Sequence, residues 1–441
     1  MESTSNEPPA GRPRIVILGG GFGGAYAAMY LERALRPDEA EILLIDRNNY
    51  FVFTPLLVEA GVGGLEPRHT VVSLRRFARR SRFRMAEVRG VDLARRIVRI
   101  QPPDPPQELE IPYDHLVLAM GSVTLLPPIP GLREFGYEMK SLRDAVALRD
   151  RMIRMLEVAD GIDDPAERAA RLHLVVVGAN FSGVEVAGEF HAFMREASRR
   201  YPNVHPRECN VTLVELKERI LQALDPDLAR FAARNLMQRS IRVLLRTTVA
   251  EVHADHVLLS NGERLAAHTV IWCAGITSNP TLAGVEGLPR DARGFVLCEP
   301  DLRACGLPDV WGIGDCAVNP DPQGNAYPAT AQHAVQQARV LARNLRRVLR
   351  GQPTEPCRIR NRGSLAALGC RTGVARIGPL KLSGWAAWFM WRTVYLLKMP
   401  GLARGVRIAL DWTLDLFFRR EYSALGLHQR PSPPAPNDSD P

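Results

Sequence analysis

Two sets of glycines, each followed by an acid, carry the clearest chemistry. Gly19, Gly21 and Gly24 in RIVILGGGFGG (14–24) follow the spacing G-x-G-x-x-G. The first glycine allows a tight turn, the second lets backbone approach a pyrophosphate, and the third lets a helix pack on a strand. The helix N-terminus then faces the phosphates. Asp46 closes the apolar run that starts at Glu41, where an acid accepts a hydrogen bond from a ribose hydroxyl. A second set follows, Gly178-Ala-Asn-Phe-Ser-Gly183 with Glu215. A carboxylate beside the adenosine ribose repels a 2′-phosphate, so Glu215 predicts NADH over NADPH. The middle glycine is here Asn180, the non-glycine residue that best tolerates a left-handed backbone. Its side chain is expected to crowd the pyrophosphate approach. A third feature is Gly314-Asp315 in VWGIGDCA. An aspartate at such a strand end could bond a flavin's ribityl hydroxyl, or the pair could be a plain turn.

The elements that must position these residues repeat. The strand 15–18 runs into the first glycine turn and the helix 25–35, then the strand 41–45. The stretch 83–100 alternates as antiparallel strands do, and 113–121 reads as a buried strand ending Ala119-Met-Gly121. After a proline-rich linker, the strand 173–177, the second turn, the helix 184–197 and the strand 211–216 repeat the order. Hairpin-like strands occupy 249–265, with an Asn261-Gly262 turn. The strand 269–275 closes the unit on Ala274-Gly275. Gly19 and Gly178, Asp46 and Glu215, and Gly121 and Gly275 are offset by 159, 169 and 154 residues. Such a repeat implies two dinucleotide-binding units.

The 441-residue chain is long enough for two or three domains. A net charge of +9 favours an anionic partner. Seven cysteines form no C-x-x-C pair and no zinc spacing, which suits a reducing cytoplasm and predicts no metal site. No secretory leader is visible, and residues 1–12 read as disordered. Six arginines lie between Arg75 and Arg84, forming a solvated face or a contact for anionic lipid headgroups.

The tail holds four of the six tryptophans: Trp385, Trp388, Trp391 and Trp412. The spacing predicts a largely apolar helix over 383–398 and an amphipathic one over 402–420. In the second, Arg404, Arg407, Asp411, Asp415 and Arg419 make a polar stripe, and Val406, Leu410, Leu414 and Phe417 an apolar face. Charges interrupt every apolar run short of the roughly 18 residues that span a bilayer. The pattern suits a helix lying in the membrane interface, or a dimerisation or core-covering helix. Residues 427–441 read as disordered.

Together GGGFGG, 113–121, the second glycine turn and WGIGDCA resemble the two-dinucleotide flavoprotein superfamily. Within it the sequence is most similar to type II NADH dehydrogenases, on DRNNYFVFTPLL (46–57), GVEVAGE (183–189), AQHAVQQ (331–337) and GSLAALG…LSGWAAWFMWR (363–392). The resemblance implies an α/β fold of two Rossmann-like domains, for FAD and NAD, plus a C-terminal amphipathic-helix region that docks on membrane. The expected division is FAD-binding 13–145 with 276–350, NADH-binding 146–275, and membrane-associating 351–426.

The resemblance also implies site roles. Gly19, Gly21, Phe22, Gly23, Gly24, Asp46, Arg47, Asn48, Thr54, Pro55, Leu56, Ala119, Gly121, Gly314, Asp315, Ala331 and Gln332 would hold non-covalent FAD. Gly178, Ala179, Asn180, Ser182, Gly183, Glu185, Glu215, Ala274 and Gly275 would serve NADH. Gln332, Gln336 and Gln337 would face a quinone, with Glu185, Gln332 and Gln336 acting in catalysis. On the residues alone the glutamines fit a polar helix face equally well, and Glu185 an acid stabilised by the helix dipole. The implied activity is a non-proton-pumping NADH:quinone oxidoreductase, a peripheral homodimer on the cytoplasmic face of the membrane, with no nucleic-acid partner. The segment after Asp46 has no cysteine before Cys209, which argues against the flavin-to-dithiol route of disulfide reductases. Sulfide:quinone-type enzymes and NADH-sensing membrane flavoproteins are the alternatives.

Overall fold

The computed structural model describes residues 11–418, 420–424 and 426. They form two compact units. The first comprises the described residues up to Val52, with Val71–Leu125 and Ile276–Arg362. The second comprises Phe53–Thr70, Leu126–Gly275 and the described residues from Gly363 onward. These limits differ from the expected domains. Residues 53–70, 126–145 and the tail from Gly363 all belong with the second unit. Arg419 of the expected polar stripe, residues 1–10 of the N-terminus and the tail 427–441 lie outside the described residues.

In the first unit, five parallel strands lie in the order Val310–Gly312, His115–Leu118, Arg14–Leu18, Glu41–Asp46 and Arg82–Met85. The central strand RIVIL is buried along its whole length, as a parallel sheet covered on both faces demands. On one face the helix Phe22–Ala34 packs against the helix Ala331–Leu349. On the other, the antiparallel strands Glu87–Asp92, Ile97–Gln101 and Leu109–Pro112 bring Val88, Val98, Ile100 and Ile111 to Val16, Leu18 and Leu116. The antiparallel reading of 83–100 therefore holds only from Glu87. Phe83 lies in a parallel edge strand, opposite Leu44.

The second unit repeats this plan. Its parallel strands run Gly136–Glu138, Thr269–Trp272, His173–Val177, Asn210–Val214 and Ile241–Leu244. The strands Val249–Val252, His256–Leu259 and Arg264–Ala266 cover one face. In both units the strand before the glycine turn sits between the strand that ends in the acid and the strand that ends in Ala-x-Gly or Ala-Gly.

The tail contributes three antiparallel strands, Ser364–Gly369, Thr372–Ile377 and Leu380–Gly384, then the helices Trp385–Lys398 and Leu402–Phe417. The first helix starts two residues later than expected because Ser383 and Gly384 finish a strand. The strand Ser364–Gly369 crosses the helix Phe181–Ala197 backbone to backbone. A Cβ on Gly188 would lie 2.1 Å from the Leu368 oxygen, and one on Gly369 2.3 Å from the Gly188 oxygen. A mid-helix glycine costs about 1 kcal/mol relative to alanine, and this crossing explains why one stands there.

Candidate functional site

In the first unit, Gly19 adopts φ +101°, and a Cβ there would meet the Ala119 oxygen at 2.3 Å. A Cβ on Gly24 would meet the Gly19 oxygen at 1.8 Å. Both glycines are thus demanded by the protein's own packing. Gly21 is different. It is exposed, its φ is an ordinary −77°, and a Cβ there would meet nothing within 4 Å. It begins the helix Phe22–Ala34 with no side-chain cap and no acid in the first turn. The first N–H groups of a helix need partners, and here the opening is shaped for an anion. The residues present therefore fit a dinucleotide pyrophosphate. Phe22 stacks edge-on against Phe51 at 4.8 Å, which fixes the start of the helix.

Asp46 binds the turn to the neighbouring strand. Its carboxylate accepts the Gly20 N–H at 2.6 Å and the Asn48 N–H at 2.7 Å. Burial raises its pKa, against the two N–H groups that lower it. Arg47 is exposed beside it. Ala119 is buried, and Gly121 turns with φ +65°. Asp315 accepts the Ser122 hydroxyl at 3.4 Å. Gly314, at φ +71°, donates its N–H to the Gln337 side chain at 2.7 Å.

That contact bears on the reading of the glutamines. Gln337 is buried and its side-chain oxygen accepts the Gly314 N–H, which ties it to that turn. Gln332 and Gln336 grip the segment 360–362. Gln332 accepts the Arg362 N–H at 3.2 Å and donates to Asn361 at 3.2 Å, and Gln336 donates to the Arg360 carbonyl at 3.1 Å. Ala331 opens this helix, capped by Thr330.

The second unit repeats the acid-to-turn bond. Glu215 accepts the Ala179 N–H at 2.6 Å and the Lys217 N–H at 2.9 Å. Gly178 and Gly183 repeat the close approaches, 2.8 Å to Ala274 and 1.7 Å to the Gly178 oxygen. Asn180 departs from expectation. Its φ is −72°, so no left-handed backbone is needed. Its side chain folds back as the helix cap, accepting the Gly183 N–H at 3.0 Å and donating to the Cys273 carbonyl at 2.7 Å. Tied down at both ends, it does not swing into the approach, and the helix starts at Phe181 rather than 184. Ser182 and Gly275 are exposed, and Ala274 is half-buried.

Glu185 lies on this same helix. It accepts the Ala367 N–H of the tail strand at 3.2 Å. Burial pushes its carboxyl up to about 8, and the nearby Glu189 adds to the rise. A dipole-stabilised acid would move the other way, so desolvation dominates. In the same unit Thr54 is exposed, Pro55 half-buried and Leu56 fully buried in a 3-10 turn.

The sequence reading missed a buried charged cluster beside Glu185. Glu59 and Glu189 are each 5% exposed. Glu59 accepts the Trp412 indole N–H. The Arg392 guanidinium lies between the Trp388 and Trp412 rings, 4.2 and 4.8 Å from their centroids. It is 3.6 Å from both Glu59 and Asp415, and Asp415 also accepts from Arg420 at 2.9 Å. Two signals were available: Glu189 stands four residues after Glu185 in an otherwise apolar helix stretch, and Glu59 is a lone acid in LLVEAGVG.

The same contacts revise the last helix. Asp411 pairs with His69 at 2.5 Å and Asp415 with two arginines, so these acids face protein. The apolar positions Val406, Leu410, Leu414 and Phe417 are 51–79% exposed. Among the described residues no helix is long and apolar enough to cross a membrane. None of the seven cysteines is disulfide-bonded. Cys316 is fully buried, and burial pushes its thiol up to about 11. It is therefore a packed core residue and a poor nucleophile.

With that geometry in hand, comparison with known proteins is direct. Residues 13–338 match the pyridine nucleotide-disulphide oxidoreductase family, and residues 361–421 match the NDH2 C-terminal domain. The chain is 31% identical to the type II NADH:quinone oxidoreductase NdhA of Mycobacterium tuberculosis, over 95% of this chain and 91% of that one. It is 32% identical to the demethylphylloquinone reductase NdbB of Synechocystis, over 91% and 96%. The fold matches the NDH2 of Plasmodium falciparum solved with NADH, at a TM-score of 0.85 and 20% identity, covering 93% of this chain and 99% of that one. These matches define a pyridine-nucleotide flavoprotein of the two-Rossmann-domain class. The chain belongs to the type II NADH:quinone oxidoreductase family, whose activity is flavin-dependent and non-proton-pumping.

Proposed function

We propose that the first unit holds FAD non-covalently, that the second binds NADH, and that the electrons pass to a quinone dissolved in the membrane. The observation that carries this is the contrast at Gly21. Gly19 and Gly24 answer to internal packing, whereas a Cβ on Gly21 would meet nothing within 4 Å, which leaves the helix opening free for a ligand.

When bound, the FAD supplies the redox centre that accepts hydride from NADH and passes two electrons to the quinone. The protein orients and protects. Gly21, Phe22, Gly23 and Gly24 present backbone N–H groups to the FAD pyrophosphate, and Gly19, whose N–H is held by the Ile45 carbonyl at 2.8 Å, makes the turn beneath it. Asp46, with Arg47 and Asn48 beside it, holds the adenosine ribose. Gly314 and Asp315 hold the ribityl chain, and the buried Gln337 keeps that turn in place. Gln332 and Gln336 are the residues of this unit assigned to the quinone side. In the second unit Gly178, Ala179, Ser182 and Gly183 cradle the NADH pyrophosphate, Asn180 caps the helix beneath it, and Ala274 and Gly275 line the approach. Glu215 selects the unphosphorylated ribose. Glu185, held protonated near neutral pH, supplies a proton to the quinone oxygen.

The exposed apolar face of the helix Leu402–Phe417, with Trp385, Phe389 and Leu397, supports docking on an anionic lipid surface at the cytoplasmic face. A homodimer is the competing use of that face. The test is anaerobic. NADH should bleach the yellow protein, and added quinone should restore the colour within the mixing time. Failure to recover with every quinone in a panel would refute the reading.

A further inference from the structure

The mechanism above uses Glu185 and leaves its buried neighbours unexplained. Four carboxylates gather in the second unit: Glu59 from the helix Leu57–Gly61, Glu185 and Glu189 from the helix Phe181–Ala197, and Asp415 from the last helix. Three guanidiniums face them, Arg239, Arg392 and Arg420. Arg239 is held against the Gly188 and Leu368 carbonyls, and Arg392 is sandwiched between tryptophan rings. The other charged groups around the cluster are engaged elsewhere. Arg149, from the helix packed on Leu57–Gly61, donates to the Glu421 carbonyl and is met by Asp150 and Glu66. His69 pairs with Asp411, and burial keeps His191 neutral. Tyr395 and Tyr422, at the edges, stay protonated.

Buried like charges cannot all ionise without matching counter-charges. With four acids against three fixed cations, one proton stays inside the cluster. Asp415 is paired with both Arg392 and Arg420, and the desolvation that raises all three glutamates favours a proton on them. Glu185 and Glu189 are one helical turn apart, on the same face.

We propose that Glu59, Glu185 and Glu189 hold this one proton in common, and that Glu59 is the positioning residue that sets the pH at which Glu185 carries it. The inference rests on the reading of Glu185 as the proton donor to the quinone. Bound FAD would supply the two electrons that reduce the quinone; the Glu185 O–H bond breaks as an O–H bond forms on one quinone oxygen, and the second proton, on the other oxygen, comes from solvent, giving the quinol. Glu185 is left as the carboxylate, and a proton shared with Glu59 and Glu189 restores it, replaced in turn from solvent. Burial raises both Glu59 and Glu185, and a charge on Glu59 holds the Glu185 proton more tightly.

The test uses the intact flavoprotein. The rate of NADH:quinone reduction is measured from pH 6 to pH 10 for the wild type, Glu59→Gln and, in case that variant folds poorly, Glu189→Gln. Ferricyanide, which takes electrons without protons, is the second acceptor. Each substitution removes a like charge and keeps a hydrogen-bonding side chain. The alkaline fall in quinone reduction should move to lower pH by about one unit, while ferricyanide rates keep their wild-type profile. A quinone profile that stays in place in both variants overturns the proposal, as does an equal shift with ferricyanide. Absence of quinone reduction by the wild type would overturn the functional reading itself, a distinct result.

Discussion

Replacing Gly21 by alanine separates ligand from fold. In the protein alone the new methyl meets nothing within 4 Å, and the backbone at φ −77° accepts it. Alanine is a poorer helix cap than glycine by about 0.5–1 kcal/mol. It also lowers the entropy of the unfolded chain, which restores about 0.4–1 kcal/mol. The two nearly cancel, so the flavin-stripped variant should unfold at the wild-type urea midpoint. Against a pyrophosphate lying on Gly21 the same methyl overpacks, at about 1–3 kcal/mol. That equals roughly a 5- to 150-fold loss of FAD affinity. The assay is flavin fluorescence on titrating FAD into the stripped protein, with flavin absorbance per protein as purified. Gly24→Ala is the counterpart. Its Cβ would sit 1.8 Å from the Gly19 oxygen, so it should lose stability with or without FAD. Wild-type FAD affinity in Gly21→Ala would refute the placement of the pyrophosphate.

Three further outcomes follow from the same structure. Glu215→Gln keeps acceptors for only part of the Ala179 and Lys217 contacts and removes the charge, so the ratio of kcat/KM for NADPH to that for NADH should rise about tenfold; an unchanged ratio would contradict the repulsion argument. Leu410 and Leu414 are 57% and 53% exposed, so changing both to glutamate should leave the thermal midpoint within about 2 °C and sharply reduce co-sedimentation with phosphatidylglycerol vesicles; undiminished binding would shift the docking face elsewhere. Glu185 has a folded-state pKa of about 8 against an ordinary 4.5. The native state therefore binds a proton that the unfolded chain has lost over that interval, and stability should fall as pH rises from about 5 to 8. Glu185→Gln should flatten that fall, as read from urea midpoints; a slope equal to wild type would show that Glu185 does not carry the proton.

The glycine fingerprints, the two acids and the duplicated order were legible in the sequence because they are local. A positive-φ glycine, a helix that starts three residues later and a strand that runs into an acid are written within about forty residues. Asn180 shows the limit of such reading. Its type suggested a strained backbone; its cap on the Gly183 N–H is local, but the Cys273 carbonyl that ties down the other end of its amide comes from 93 residues away. Gln337 shows the same thing: its place in AQHAVQQ suggested a substrate face, and the Gly314 turn decided that it points inward.

What the sequence by itself determined is the pair of nucleotide-binding plans, because hydrophobic periodicity and turn chemistry act over short distances. It also determined that the last helix has a polar and an apolar stripe. Only the tertiary structure decided which stripe meets protein. Arg392, His69 and Arg420 draw Asp411 and Asp415 inward, because a buried charge needs partners, and the leucines are left outside. The carboxylate cluster is likewise tertiary. Glu59 and Asp415 lie far along the chain from Glu185 and Glu189, and the raised pKa of the three glutamates comes chiefly from the desolvation that packing imposes on them, with mutual repulsion adding to it at Glu59 and Glu185.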